Sequence, residues 1–353
     1  MAKAASPLRI AFSYVFDYVV VFVLAGIWSY IATLEPNYSR FSLTDKTLQY
    51  PIADPETVPF GSCLVYSVLL PIAVIAVWSF VVDRLRYSHN ELLWEFNVGF
   101  LGIALSESFT FVITTSLKGI VGRPRPDSIA RCLPYSGAAD AEVWGLSEVL
   151  KVCTQTDPAI LAEGWRSWPS GHSSTAFAGL GYLSFFLAGK LSLYDTRGEA
   201  WKAAIVMFPL LGAGAIATSR IKDHRHHGTD VLSGSIIGLA VAWAAYRLYY
   251  PSLADTARQG RAWPIRMYGS SKLSPPVPFA DELVDDEETA LGSAGAVPGA
   301  ADFRRRGLQS DGTILGQFET VGAAGGGVSA GSAGGVNESA YQALTETSNS
   351  RRY

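Results

Sequence analysis

Ser219-Arg220-Ile221-Lys222-Asp223-His224-Arg225-His226-His227-Gly228-Thr229-Asp230 separates two apolar stretches, Trp201–Ser219 and Thr229–Tyr250, each about as long as a bilayer crossing requires. Four further stretches of that kind lie upstream, at Ile10–Leu34, Gly61–Val82, Leu93–Leu117 and His172–Leu191. The chain of 353 residues is 49% hydrophobic and only 17% charged, whereas soluble domains average about 25% charged. The reading is therefore an all-α, polytopic membrane protein: a bundle of six transmembrane helices over residues 1–250. A polar tail, 251–353, is predicted to be disordered, because its Pro275-Pro276, acidic 281–288 and Gly/Ala/Ser-rich 322–335 runs cannot bury enough apolar surface to offset chain entropy. A net charge of −3 gives no reason to expect a nucleic-acid partner. The first stretch is too long for a signal core and lacks a small-residue cleavage site, so it reads as an uncleaved anchor.

Short-loop charges set the expected orientation. Lys3 and Arg9, Arg84 and Arg86, Lys190, Arg197 and Lys202, and Arg247, Arg258, Arg261 and Arg266 fall on one side, which the positive-inside rule makes cytosolic. Both termini are then cytosolic. Three polar segments face the other side: 118–126 (Lys118-Gly119-Ile120-Val121-Gly122-Arg123-Pro124-Arg125-Pro126), 169–172 (Pro169-Ser170-Gly171-His172) and 219–230. An extracytoplasmic site fits the vacuole, Golgi, endoplasmic reticulum or plasma membrane. Cys132 and Cys153 share a loop on that side, where a disulfide can persist. Asn37-Tyr38-Ser39 is a glycosylation sequon only a few residues from the predicted membrane edge.

These segments supply what phosphoryl transfer requires: charge for the nonbridging oxygens, a nucleophile, and a proton for the leaving oxygen. Lys118, Arg125 and Arg220 can hold phosphate oxygens. Ser170 and Gly171 stand at a predicted helix start, where free N–H groups favour an anion. His226 and Asp230 are four apart, so the carboxylate is expected to accept from one ring nitrogen while the other attacks phosphorus; His172 remains to protonate the leaving group. Arg123, His224 and His227 read as rim residues that steer anions. Trp165, Trp168 and Tyr182 read as interfacial anchors or packing. In the third stretch Glu107, Thr114 and Lys118 share a helix face, and both Glu107 and Asp17 are expected to hydrogen-bond a neighbouring helix. A metal site at Asp223, His224, His226, His227 and Asp230 is disfavoured, because Arg220, Lys222 and Arg225 crowd the same turn.

The patterns Lys-x6-Arg-Pro at 118–126, Pro-Ser-Gly-His at 169–172 and Ser-Arg-x5-His-x3-Asp at 219–230 resemble, in order, the three-part signature of the type 2 phosphatidic acid phosphatase family, also called lipid phosphate phosphatases. The Val121–Asp127 segment and the Phe41–Pro51 loop are similar to its fungal diacylglycerol pyrophosphate phosphatase branch. The resemblance spans residues 10–250. It implies a six-helix core, a metal-independent site without cofactor, a phosphohistidine on His226, His172 as general acid and Asp230 as the carboxylate orienting His226. It also implies phospholipid substrates: phosphatidate, lysophosphatidate or diacylglycerol pyrophosphate. Sphingoid-base phosphates or polyprenyl pyrophosphates share the headgroup chemistry, and a catalytically silent lipid binder is the alternative from outside the enzymes.

Overall fold

Predominantly apolar runs fold into six long helices: α1 (Pro7–Thr33), α2 (Phe60–Leu85), α3 (His89–Val121), α4 (Gly171–Lys190), α5 (Ala200–Lys222) and α6 (Gly228–Tyr249). The computed structural model describes residues 7–258 and 260–263; the predicted disorder of the tail beyond them lies outside the described residues. No strand forms among the described residues, only isolated bridges at Phe41–Ser147 and Pro134–Cys153.

Five of these helices, all but α4, are long and apolar enough to cross a membrane. The sequence predicts six spans; α4 has the length, about 30 Å at 1.5 Å per residue, but not the composition. It opens His172-Ser173-Ser174-Thr175 and carries four glycines. The packing supplies the reason. α4 lies among α3, α5 and α6 and is buried along most of its length, so its small and polar residues meet protein rather than lipid. The apolar side chains that point outward belong to the other helices, such as Phe16 and Phe22 on α1, Phe208 and Leu211 on α5, and Leu232 and Ile236 on α6.

Helix ends are set by local chemistry. Ser88 and Glu91 close a capping box at the start of α3. Gly122 ends α3 in the left-handed region at φ +59°, and a Cβ there would lie 1.5 Å from the Asn37 carbonyl oxygen. That approach, with Asn37 N donating to Gly119 O at 2.8 Å, fastens the sequon directly to the end of α3.

The segments between α1 and α2 and between α3 and α4 pack on one another through Phe41, Leu48, Val149, Leu161 and Trp165. Cys132 and Cys153 are joined by a disulfide. Trp165 is fully buried and donates Nε1–H to Ser39 O at 3.0 Å; Tyr182 is buried inside the bundle. Both are packing residues, not interfacial anchors. At the opposite end of the bundle, buried Lys190 pairs with Asp83 (3.2 Å) and Glu95 (2.8 Å). Residues 251–258 and 260–263, within the tail expected to be disordered from 251, are instead held there, with Trp263 N donating to Tyr249 O at 2.9 Å and Ala262 N to Glu95 at 3.1 Å.

The two intramembrane acids part company. Asp17 accepts from Tyr249 Oη at 3.0 Å, an interhelical bond as expected. Glu107 is buried with no hydrogen-bond partner on either oxygen, which corrects the expectation for it. Other polar residues of α3 take the contacts with α4 instead: Ser106 Oγ donates to Ala178 O at 3.1 Å, and Thr114 Oγ1 to Ser174 Oγ at 3.0 Å.

Candidate active site

Three chain segments meet at one end of the bundle: the end of α3 with residues 122–127, the start of α4, and the turn between α5 and α6. Ser170 is the N-cap of α4. It is fully buried, its hydroxyl faces Ser173 N at 3.5 Å and accepts from Ser173 Oγ at 3.0 Å, and its amide donates to Asp230 O at 2.9 Å. Gly171 follows as the first helical residue. A Cβ built on it would lie 3.5 Å from Lys118 Nζ, so the lysine ammonium reaches from the last turn of α3 to the N-terminus of α4. Arg125 joins them: its guanidinium is 4% exposed, Nη2 is held by Glu163 and by Arg166 O (3.3 Å), and Nε is buried without a partner. Lys118, Arg125 and Arg220 all lie near enough to His172 to act on it electrostatically.

His172 sits in the first turn of α4. Its Nε2 is 3.1 Å from Val58 O. A carbonyl only accepts, so Nε2 carries a hydrogen and Nδ1 is left to exchange a proton. Phe60 packs edge-on against the ring, with centroids 5.5 Å apart.

His226 and Asp230 are close but not hydrogen-bonded: Nδ1 lies 3.9 Å from Asp230 Oδ2 and has no hydrogen-bond partner. The expected direct bond assumed one helical turn, whereas His226 precedes α6. The N-cap is His227, and Asp230, three residues further on, accepts its backbone N–H at 3.0 Å in a capping box. Burial, reinforced by the Arg125 and Lys118 charges, holds His226 well below the usual imidazole range, against an upward pull from Asp230. At 3.9 Å that pull is electrostatic. Nδ1 faces the carboxylate, which leaves Nε2 to face a substrate.

Arg220 is 1% exposed, and each of its three nitrogens has a partner. Nη1 binds Glu56 (2.7 Å), Nη2 binds Asp223 (3.0 Å), and Nε binds Ser219 Oγ (3.1 Å). Asp223 also accepts from Thr57 N at 2.8 Å, and Arg225 pairs with Glu56. Of the residues expected at the rim, His224 does stack on Tyr50, with centroids 4.1 Å apart. Arg123 instead reaches Asp230 Oδ1 at 2.6 Å. Ser167, which no spacing singles out, donates to Asp230 Oδ2 at 2.6 Å. Glu56 likewise carries no motif; a buried arginine's need for an acid was the available signal. Asp223 and Asp230 thus point to different cations, and among the described residues no three of His, Cys, Asp or Glu converge as a metal site.

The PAP2 superfamily model matches residues 99–253, which include all three segments. Lipid phosphate phosphatase 2 of Arabidopsis thaliana is 38% identical over 245 residues, 68% of this chain and 78% of that protein. The chain belongs to the PAP2 superfamily. Within it, the probable diacylglycerol pyrophosphate phosphatase 1 of Schizosaccharomyces pombe is 34% identical over 67% of this chain and 81% of its own length. Diacylglycerol pyrophosphate phosphatase 1 of Saccharomyces cerevisiae is 31% identical over 82% and 91%. No solved structure matches this PAP2 chain.

Proposed function

We propose that this PAP2 enzyme hydrolyses lipid phosphomonoesters and pyrophosphates, with phosphatidate, lysophosphatidate and diacylglycerol pyrophosphate as substrates, through a phosphohistidine on His226. The observation that carries the reading is the meeting of His226, His172, Lys118 and Arg125 at one end of an apolar bundle. Relatives named as lipid phosphate and diacylglycerol pyrophosphate phosphatases support the substrate class.

Lys118, Arg125 and the N-terminus of α4 at Ser170 and Gly171 hold the nonbridging oxygens. His226 Nε2 attacks phosphorus, and the bond from phosphorus to the glycerol oxygen, or to the inner phosphate, breaks. His172 gives its proton to that oxygen, and Asp230 steadies the charge developing on His226. Water then attacks the phosphohistidine, His172 takes the water's proton, and inorganic phosphate leaves. Arg220, anchored by Glu56 and Asp223, turns its remaining N–H groups to the same oxygens. Cationic side chains provide the charge neutralisation, so the reaction needs neither metal nor cofactor. The bundle spans the membrane six times, α4 enclosed by the others, with both termini cytosolic and the site extracytoplasmic.

The test is phosphate release from phosphatidate and from diacylglycerol pyrophosphate in detergent micelles with excess chelator. Turnover is expected to persist. Loss in chelator would contradict the metal-free reading, and inactivity on both lipids would favour sphingoid or polyprenyl phosphates.

The His226 environment also sets a pH expectation. The attacking imidazole must be neutral, and its position below the usual 6.5 means protonation removes it only in more acidic solution. The acid limb of kcat/KM is therefore expected below pH 6.5, read from initial rates across a buffer series. A limb above 6.5 would contradict it.

A further inference from the structure

Asp230 is fully buried where the 122–127 segment, the residues before α4, and the first turn of α6 converge. Both oxygens are taken. Oδ1 accepts from Arg123 Nη1 at 2.6 Å, and the same nitrogen donates to Thr229 Oγ1 at 2.8 Å. Oδ2 accepts from Ser167 Oγ at 2.6 Å and from His227 N at 3.0 Å. Ser167 is itself fully buried, and its amide donates to Arg123 O at 3.1 Å, so the two donors are tied to each other through the backbone. His226 Nδ1 faces Oδ2 from 3.9 Å, while His227 Nδ1 is already within hydrogen-bond distance of the same oxygen at 3.3 Å. Without Ser167 and Arg123, the carboxylate is left to the backbone and ring of His227 and free to turn away from His226.

We propose that Ser167 and Arg123 are a positioning pair for Asp230: they fix the carboxylate plane and so the direction in which His226 presents Nε2 to phosphorus. The proposal rests on the reading of His226 as the nucleophile. Both act through Asp230. Ser167 holds the oxygen that His226 faces, and Arg123 holds the other one, so losing either loosens the same element. Arg123 also offsets the carboxylate charge, which limits how strongly Asp230 holds a proton on His226.

The test uses the full chain in phosphatidate micelles, with size-exclusion profiles confirming that each variant is folded. Ser167→Ala is expected to lower kcat about 10–100-fold, the usual effect of removing a partner that orients a reacting group, with KM within about twofold of wild type. Arg123→Gln is expected to lower kcat similarly and to move the acid limb of kcat/KM to higher pH; Arg123→Lys, which keeps the charge, retains most of the rate. With Asp230→Asn already present, Ser167→Ala should add less than about a further twofold loss, because residues acting as one unit are non-additive. Wild-type kcat in both Ser167→Ala and Arg123→Gln, or a Ser167→Ala loss that multiplies in full with that of Asp230→Asn, would overturn the pair. His226→Ala run alongside keeps the two claims apart. If it is inactive while the pair's variants are wild type, only the positioning proposal fails; if it turns over normally, the nucleophile reading fails first.

Discussion

Replacing His226 by alanine is expected to lower phosphate release from phosphatidate by at least about 10⁴-fold, the scale seen when a covalent nucleophile or its base is removed. That corresponds to roughly 5.5 kcal/mol of barrier. The size follows from what remains. Lys118 and Arg125 still hold the phosphate, but the site then offers no nucleophile beside phosphorus, and His172 protonates a leaving group that nothing displaces. Lipid binding is expected to survive, because the cationic cradle is unchanged. Binding retained while phosphate release is lost therefore marks an enzyme; a silent lipid binder releases no phosphate either before or after His226→Ala.

Arg125→Lys, a change that preserves charge, is expected to cost about 10²–10³ in kcat/KM, the usual loss for one preorganised donor at a developing charge. Glu163 and the Arg166 carbonyl hold one arm of the guanidinium, while the buried, unpartnered Nε shows that its donors are not all consumed by the protein. A fork can be anchored on one side and still present N–H groups to an anion on another. An ammonium on a flexible stem cannot do both: bound to Glu163 it withdraws from the phosphate, and facing the phosphate it leaves Glu163 unpaired. Steady-state kinetics check this, and a loss of less than about threefold would show that Arg125 acts only as a point charge.

Much of this fold was legible because apolar length is a one-dimensional signal. The span limits fall within a few residues of the helix ends, as with Thr229–Tyr250 against Gly228–Tyr249. α4 departs from the pattern because a helix enclosed by other helices is freed from the composition that lipid demands. At the site, the three motifs named the residues that the fold brings together, but not how they meet. Spacing suggested that His226 and Asp230 share a helical turn; the helix starts at Gly228, two residues too late, and the capping box gives Asp230 to His227. Arg123 was legible only as a basic residue beside prolines, since sequence order does not say which way a guanidinium points. Ser167 and Glu56 had no signal of their own. Their roles come from satisfying a buried carboxylate and a buried guanidinium, a requirement that can be anticipated while its partner cannot.

The most direct test of the central claim is to quench the full-length enzyme during turnover of phosphatidate carrying a radiolabelled phosphate and to ask what the protein retains. The account predicts a covalent label on wild type that is lost in acid and survives alkali, as a phosphoramidate does, and is absent from His226→Ala. A label that survives acid, or one that persists in His226→Ala, would contradict it.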